Sequence, residues 1–97
     1  MSKYMNVVRF RVKPEFKDVI VSKFAEFERP SGYQMGWLIQ TGEFTYCSVG
    51  EWDNQESLIN ARPAMIGFLD SVRHMLEEIS PELGVTDPIS GPVVQEQ

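Results

Sequence analysis

Alternating apolar and polar residues predict a first β-strand over residues 4–12. Side chains point to opposite faces in turn along a strand, so Tyr4, Val8 and Phe10 are predicted to share one face. Asn6 falls among these apolar side chains on the same face. A polar group buried there needs a hydrogen-bond partner or a cavity to face.

The same alternation predicts two further strands, joined by a short turn. In residues 33–41 the side chains that share a face are Tyr33, Met35, Trp37 and Ile39. In residues 44–52 they are Phe44, Tyr46, Ser48, Gly50 and Trp52. The intervening Thr-Gly-Glu at residues 41–43 is short enough for a hairpin, so the two strands are expected to pair antiparallel.

Apolar residues at helical spacing predict a helix over residues 14–29. The residues that recur are Phe16, Val19, Ile20, Phe24 and Phe27. Pro14 suits the first turn of a helix. Pro30 disfavours helical geometry at Arg29, so the helix is expected to end there.

A second helical region follows the central strand and is predicted in two pieces. Asp53 and Glu56 fit a capping box, with Asp53 as the N-cap of a short helix over residues 54–61. Pro63 is predicted to interrupt this helix. A second piece over residues 65–79 carries an apolar stripe formed by Met65, Phe68, Leu69, Val72, Met75, Leu76 and Ile79.

The tail from Ser80 is rich in Pro and Gly, which leaves room for one short strand near residues 89–94. This strand could pair within the chain or with a partner. The order is then β-α-β-β-α-β, the ferredoxin-like α+β plan, in which both helices cover one face of an antiparallel sheet. The helices are expected to cover the more aromatic face, which carries Asn6.

The opposite sheet face is expected to be half apolar. It carries Met5, Val7, Arg9, Arg11, Leu38, Gln40, Thr45, Cys47, Val49 and Glu51. Such a face favours a second sheet packed against it, and in a symmetric homodimer one patch serves both partners. Arg9 and Arg11 have two interpretations, capture of an anionic substrate or ion pairing at the dimer interface. Cys47 is interpreted as a small apolar residue.

Composition and charge exclude several classes of function. The 97 residues, 42% of them hydrophobic, are predicted to form one domain over residues 1–97. A formal net charge of −5 argues against binding to nucleic acid or to an anionic membrane surface. No apolar run reaches the roughly 20 residues of a membrane span. Without a signal-peptide pattern, and with Cys47 as the one cysteine, a cytoplasmic location is expected.

The sequence predicts no metal site and no cofactor. One His and one Cys, without a carboxylate cluster at ligand spacing, do not form a metal site. Gly-rich phosphate loops and nucleophile elbows are also missing from the sequence. A small-molecule function is therefore expected to depend on the protein's own side chains.

Three stretches resemble the antibiotic biosynthesis monooxygenase (ABM) type domain of the dimeric α/β-barrel superfamily. They are Val7-Val8-Arg9-Phe10-Arg11-Val12-Lys13-Pro14, Val49-Gly50-Glu51-Trp52 with the polar helix start after it, and the Pro-interrupted helix from Met65 to Ile79. The resemblance covers residues 4–80. It implies a homodimeric α/β barrel that binds a small aromatic molecule, with cofactor-independent oxygenation of an aromatic or quinol substrate as a family activity.

The resemblance to the haem-degrading branch of this family is partial. That branch uses an Asn on the first strand, a Trp in the helix after the central strand and a His on the last helix. The corresponding positions here are Val7 or Val8, Ala61 and Ser71. Asn6 and His74 lie close to two of them, so haem binding through His74 is an alternative.

Six residues form the candidate site. The catalytic candidates are Asn6, Tyr46 and His74, and the substrate-binding candidates are Trp37, Ser48 and Trp52. Cofactor-free oxygenation needs a dry pocket with hydrogen bonds to the developing charge, which Asn6 and Tyr46 would donate between walls of tryptophan.

Structural roles are the alternative for each of these residues: internal hydrogen bonds for the polar ones, core packing for the aromatic ones, and a surface position for His74. A pocket filled by its own aromatics would indicate a non-catalytic binding or dimerisation module. An open cavity that contains Asn6 would oppose that function.

Overall fold

A computed structural model of the chain describes residues 3–97, which contain five strands in one antiparallel sheet. The strands are β1 (Tyr4–Val12), β2 (Tyr33–Gln40), β3 (Thr45–Trp52), β4 (Leu76–Glu77) and β5 (Asp87–Pro92). β1 is central: β3 and then β2 lie on one side of it, and β4 and β5 pair with its other edge. Two helices, α1 (Lys17–Ala25) and α2 (Gln55–Val72), cover one sheet face. The ferredoxin-like prediction is confirmed.

We call the sheet face under the helices the inner face and the opposite one the outer face. On the inner face Asn6 pairs with Gly50 and Phe10 with Tyr46, as the alternation in β1 and β3 predicts. The helix-covered face therefore carries the predicted aromatic and amide side chains of these two strands.

A β-bulge at the start of β2 reverses the predicted facing of most of that strand. The register with β3 shifts between Tyr33 and Met35, so Tyr33 pairs with Trp52 but Trp37 pairs with Val49. A one-residue slip moves every later side chain to the other face. The outer face therefore gains Met35, Trp37 and Ile39, and the prediction that they share a face with Tyr33 is wrong.

α1 is shorter than the predicted helix over residues 14–29. The chain enters α1 through a 3₁₀ turn at Pro14–Phe16. Beyond Ala25, the N–H of Phe27 donates to Phe24 at 3.2 Å, a tighter turn that ends the helix before Arg29. Ile20 is fully buried and fixes α1 on the sheet.

α2 runs without a break through Pro63, so the predicted interruption there is wrong. Proline removes one helical hydrogen bond, whose acceptor would be the carbonyl of Ile59. Both residues are exposed, so water can satisfy that carbonyl. Leu58 and Val72, which are buried near the two ends of α2, hold the helix on the sheet.

The N-cap of α2 is Asn54 and not Asp53. The Asn54 side chain accepts a hydrogen bond from the N–H of Ser57 at 2.9 Å, whereas Asp53 accepts one from the Ser57 hydroxyl. The backbone N–H of Asp53 donates to the carbonyl of Gly32 at 3.0 Å. This bond holds the Asp53 backbone beside the start of β2, so the N-cap falls one residue later, at Asn54.

The chain leaves helical geometry after Val72, so the prediction of helix up to residue 79 is wrong. A 3₁₀ turn at Arg73–Met75 leads into β4, which pairs with the end of β1. Met75 and Leu76 remain buried. Apolar residues at adjacent positions fit both a helical stripe and a buried strand, and the pairing with β1 decides between them.

β5 pairs with β1 of the same chain. Of the two alternatives for the tail strand, pairing within the chain or with a partner, the structure shows the first. β5 begins and ends two residues earlier than the predicted strand over 89–94. Pro88 lies within β5, a position that a strand at a sheet edge tolerates. Among residues 3–97, no helix combines the length and the apolar character needed to cross a membrane.

The core under the helices has two parts. The larger part consists of Phe10, Val12, Ile20, Tyr46, Val72, Met75 and Leu76. The smaller part consists of Trp52, Leu58 and Ala61. Residues from both parts border a space that side chains do not fill, and this space is the candidate site.

Candidate functional site

A cavity of about 670 Å³ lies between the inner sheet face and the two helices. This volume suits a small organic ligand. Its walls are mainly apolar and include Val8, Phe24, Phe27, Met65, Phe68 and Leu69. The aromatic side chains therefore line the inner face without filling it, and an open cavity opposes a purely structural module.

Asn6 and Trp52 form a hydrogen-bonded pair in the cavity wall. The indole Nε1 of Trp52 donates to Oδ1 of Asn6 at 2.8 Å, and both residues are buried. Gly50 lies opposite Asn6 on β3 and leaves room for this bond, because a Cβ at Gly50 would lie 2.5 Å from Oδ1. Both alternatives for Asn6 therefore hold: it makes a structural hydrogen bond and it borders a cavity.

The hydrogen bond to Trp52 fixes how the Asn6 amide is turned. An indole N–H can only donate, so the amide oxygen faces Trp52 and the amide NH₂ is directed elsewhere. The hydrogen bond that Asn6 makes with Trp52 uses only its amide oxygen, and no side-chain nitrogen or oxygen among residues 3–97 is both fully buried and without a partner. Ser48, which is half-buried two residues before Gly50, borders the same cavity. The cavity wall thus offers a small polar group of donors on β1 and β3.

Tyr33 borders the cavity and adds a hydroxyl that the sequence analysis did not select. Its ring packs edge-to-face on Trp52, with the ring centroids 4.9 Å apart. The hydroxyl lies directly over Gly36, where a Cβ would come within 1.7 Å of it. A glycine inside a strand often marks a close approach, and Gly36 was the sequence signal that could have indicated this contact.

Burial raises the pKa of Tyr33 above its usual value near 10, and the smaller opposing effect on this pKa comes from Arg29. The Arg29 guanidinium lies 5.6 Å from the centroid of the Tyr33 ring. Tyr33 therefore carries its proton at neutral pH. It can donate a hydrogen bond to an oxygen of a bound ligand.

We expect Tyr33 to ionise above pH 10. The phenolate absorbance near 295 nm, followed against pH in the wild type and in Tyr33→Phe, gives the Tyr33 titration as the difference between the two curves. Because the folded pKa is raised, the folded state holds this proton more tightly than the unfolded chain. Stability should then fall as pH rises from about 10 through the folded pKa. A difference curve with its midpoint at or below 10 would contradict the burial.

Two predicted catalytic residues do not border the cavity. Tyr46 is buried in the closed part of the core, where it stacks on Phe10 with centroids 5.7 Å apart. His74 is exposed in the turn after α2, and its ring meets the edge of Phe16 at 5.4 Å. Neither residue lies in the cavity lining, and His74 has the surface position that was its structural alternative. Haem ligation through His74 gains no support from this geometry.

Trp37 borders the cavity, but its side chain belongs to the outer face because of the bulge in β2. It is 45% exposed, and its role in substrate binding stays a prediction. Arg9 pairs with Asp87 of β5 within the chain, where Nε donates at 2.9 Å. Cys47 is a free, half-buried thiol that shares the outer face with Arg9, as predicted.

The charged residues that border the cavity are Arg29 and Arg62. Both are exposed, so they lie where the cavity meets solvent. The pattern of apolar residues did not identify these two arginines, because such a pattern selects apolar positions. Arg29 follows α1 and Arg62 lies within α2. Across residues 3–97, no group of three or more His, Cys, Asp or Glu side chains could hold a metal ion.

Solved structures define the class of this fold: the chain shares the ferredoxin-like α+β fold with proteins described as antibiotic biosynthesis monooxygenases. A candidate antibiotic biosynthesis monooxygenase from Chloroflexus aurantiacus J-10-fl matches with a TM-score of 0.75 and 15% identity, over 99% of this chain and 97% of that one. SnoaB, a cofactor-independent oxygenase from Streptomyces nogalater, matches in a mutant form with a TM-score of 0.72 and 17% identity, over 99% and 97% of the two chains.

A dimeric ferredoxin-like protein from an uncultured marine organism matches with a TM-score of 0.71 and 12% identity, over 100% of this chain and 92% of that one. At such identities the likeness concerns the fold alone. No protein-family model matches the sequence, and a search of curated proteins also finds no match.

Proposed function

We propose that this protein is a cofactor-independent monooxygenase that acts on an aromatic or quinol substrate in the inner cavity. The observation that carries the proposal is the buried Asn6–Trp52 pair, which presents an amide donor in a mainly apolar cavity of about 670 Å³. The shared fold with SnoaB supports the same reaction class.

The chemistry requires little from the protein beyond binding and charge stabilisation. A hydroquinone and O₂ give a hydroxyquinone and water: one oxygen atom bonds to a ring carbon and the other leaves as water. The substrate supplies all four electrons. Negative charge develops on the phenolic oxygen, and hydrogen bonds from the Asn6 amide and the Tyr33 hydroxyl would stabilise it between mainly apolar walls.

Oxygen uptake with 1,4-dihydroxynaphthalene as the substrate tests this proposal, measured above the rate of its autoxidation. Asn6→Asp is the sharpest variant, because a carboxylate can still accept from Trp52 but can no longer donate. We expect the rate to fall by about 10²–10³-fold, as for the loss of one oxyanion donor.

Asn60→Asp is the matched control for this experiment. Asn60 is exposed on α2 and does not border the cavity, so the same change of charge there should leave the rate unchanged. A wild-type protein that consumes no oxygen with this quinol, or an Asn6→Asp variant within twofold of the wild type, would contradict the proposal.

A non-catalytic ligand-binding module is the second candidate. The open cavity opposes a module filled by its own aromatic side chains, but it would also serve a protein that binds a ligand without converting it, because binding requires the same walls. Saturable quinol binding without oxygen uptake would favour this second function over the first.

We also propose that the outer face forms a homodimer. One row of residues runs across four strands in register and is entirely apolar: Trp37, Val49, Val7 and Ile89. Trp37 and Ile89, at the two ends of this row, are 45% and 66% exposed in the single chain, and a row of exposed apolar side chains is typical of an interaction surface. The dimeric state described for the marine ferredoxin-like protein supports this assembly.

A further inference from the structure

The charge at the cavity opening is opposite to the charge of the whole chain. The sequence has 14 acidic and 9 basic residues, a formal net charge of −5. Yet Arg29 and Arg62 are the charged side chains that border the cavity in the described part of the chain, and no Asp or Glu joins them. Two guanidinium groups in the lining of a mainly apolar cavity attract anionic ligands.

Neither arginine is neutralised by a carboxylate within residues 3–97. The ion pairs there join Lys3 to Glu51 and Glu96, Arg9 to Asp87, and Arg73 to Asp70. Arg29 donates one long hydrogen bond, from Nη1 to the carbonyl of Gln34 at 3.5 Å. A guanidinium has five N–H donors, so most of those on Arg29 and all of those on Arg62 remain for a ligand.

The surroundings of each arginine restrict where its charge can act. Arg29 lies over the Tyr33 ring, and the Tyr33 hydroxyl reaches the cavity wall at Gly36. Arg62 precedes Met65 and Ile66 by about one turn of α2, and both of those apolar residues border the cavity. Each guanidinium is thus placed where the apolar wall of the cavity meets solvent.

We infer that the inner cavity binds an organic anion whose flat apolar body lies against Trp52 and whose carboxylate is held by Arg29 and Arg62. The planar guanidinium matches a carboxylate through two parallel hydrogen bonds, which a neutral group cannot reproduce. The neutral Tyr33 hydroxyl supplies a further donor near Arg29. This inference rests on the proposed use of the inner cavity as a ligand site, but it does not depend on turnover.

Two probes of the same shape separate charge from ring binding. Isothermal titration with 2-naphthoate and with 2-naphthamide at pH 7.5 compares an anion and a neutral compound on one aromatic body. We expect 2-naphthoate to bind at least tenfold more tightly. This preference for 2-naphthoate should decrease severalfold in Arg29→Gln and in Arg62→Gln, and it should disappear in the double variant. Arg62→Lys should keep more of the preference than Arg62→Gln, because it retains the positive charge.

Arg73→Gln is the matched control, because it removes the same charge from an exposed position outside the cavity. It should keep the full preference for 2-naphthoate, which rules out a general effect of net charge. Each variant is first checked for a cooperative thermal transition. Equal affinities for the two probes, a preference that survives in the double variant, or no binding of 2-naphthoate at millimolar concentration would overturn the inference.

The outcome is distinguishable from that of the oxygenase proposal. Arginine-dependent binding of 2-naphthoate by a protein that consumes no oxygen with quinols would support the anion site and contradict the oxygenase. Oxygen uptake with a neutral quinol, together with equal affinity for the two naphthyl probes, would support the oxygenase and contradict the anion site.

Discussion

Replacing Trp52 with Ala is expected to lower the free energy of unfolding by about 3–5 kcal/mol. Trp52 is the largest fully buried side chain, with 1% of its surface exposed. It packs with Leu58 and Ala61, meets the Tyr33 ring and donates to Asn6. The loss is a large part of the roughly 5–15 kcal/mol that stabilises an ordinary domain.

Urea unfolding followed by circular dichroism, at one fixed protein concentration, measures this effect. Trp52→Phe keeps an aromatic ring and part of the packing, but it removes the N–H that donates to Asn6. An unsatisfied buried acceptor costs about 1–3 kcal/mol, so this variant should lie between the wild type and Trp52→Ala. A loss below 1 kcal/mol in Trp52→Ala would contradict the burial of this residue.

Period-two alternation predicted the inner face of β1 and β3 correctly, and there is a physical reason for this. Both strands have one face under the helices, so apolar residues must recur at every second position. The pairing of Asn6 with Gly50 and of Tyr4 with Trp52 follows from the same alternation once the hairpin and β1 are in register. The fold class therefore could be predicted from local patterns.

The bulge in β2 could not be predicted with the same assurance. One extra residue between Tyr33 and Met35 leaves the alternation of apolar residues intact while it reverses their facing. Trp37 moved to the outer face for this reason alone. Gly36 indicates a close approach in the sequence, but it does not identify Tyr33 as the residue that approaches.

Whether an inner-face side chain borders the cavity depends on its position along the strand, beneath the helices. Asn6 and Tyr46 share the inner face, yet Asn6 borders the cavity while Tyr46 lies in the closed core beside Phe10. Alternation specifies the face and not this position. Arg29 and Arg62 border the cavity from two separate segments, one after α1 and one within α2, so only the tertiary fold makes them part of the same lining.

Trp37→Glu is expected to convert a wild-type homodimer into a monomer, with the dimer dissociation constant raised at least 100-fold. Trp37 belongs to the apolar row that crosses the outer face, and tryptophans in such positions often contribute 2 kcal/mol or more to an interface. A buried carboxylate without a partner adds a desolvation cost. Light scattering coupled to size exclusion at micromolar concentration should show twice the protomer mass for the wild type only.

Ile59→Glu is the matched control for the dimer, because Ile59 is also 45% exposed but lies on α2, away from the outer face. It introduces the same charge on an apolar surface position and should leave the dimer intact. Since Trp37 is half exposed in the single chain, Trp37→Glu should also leave the protomer folded, as shown by an unchanged far-ultraviolet spectrum. A monomeric wild type, or a dimer that survives Trp37→Glu and is lost in Ile59→Glu, would place the contact surface elsewhere.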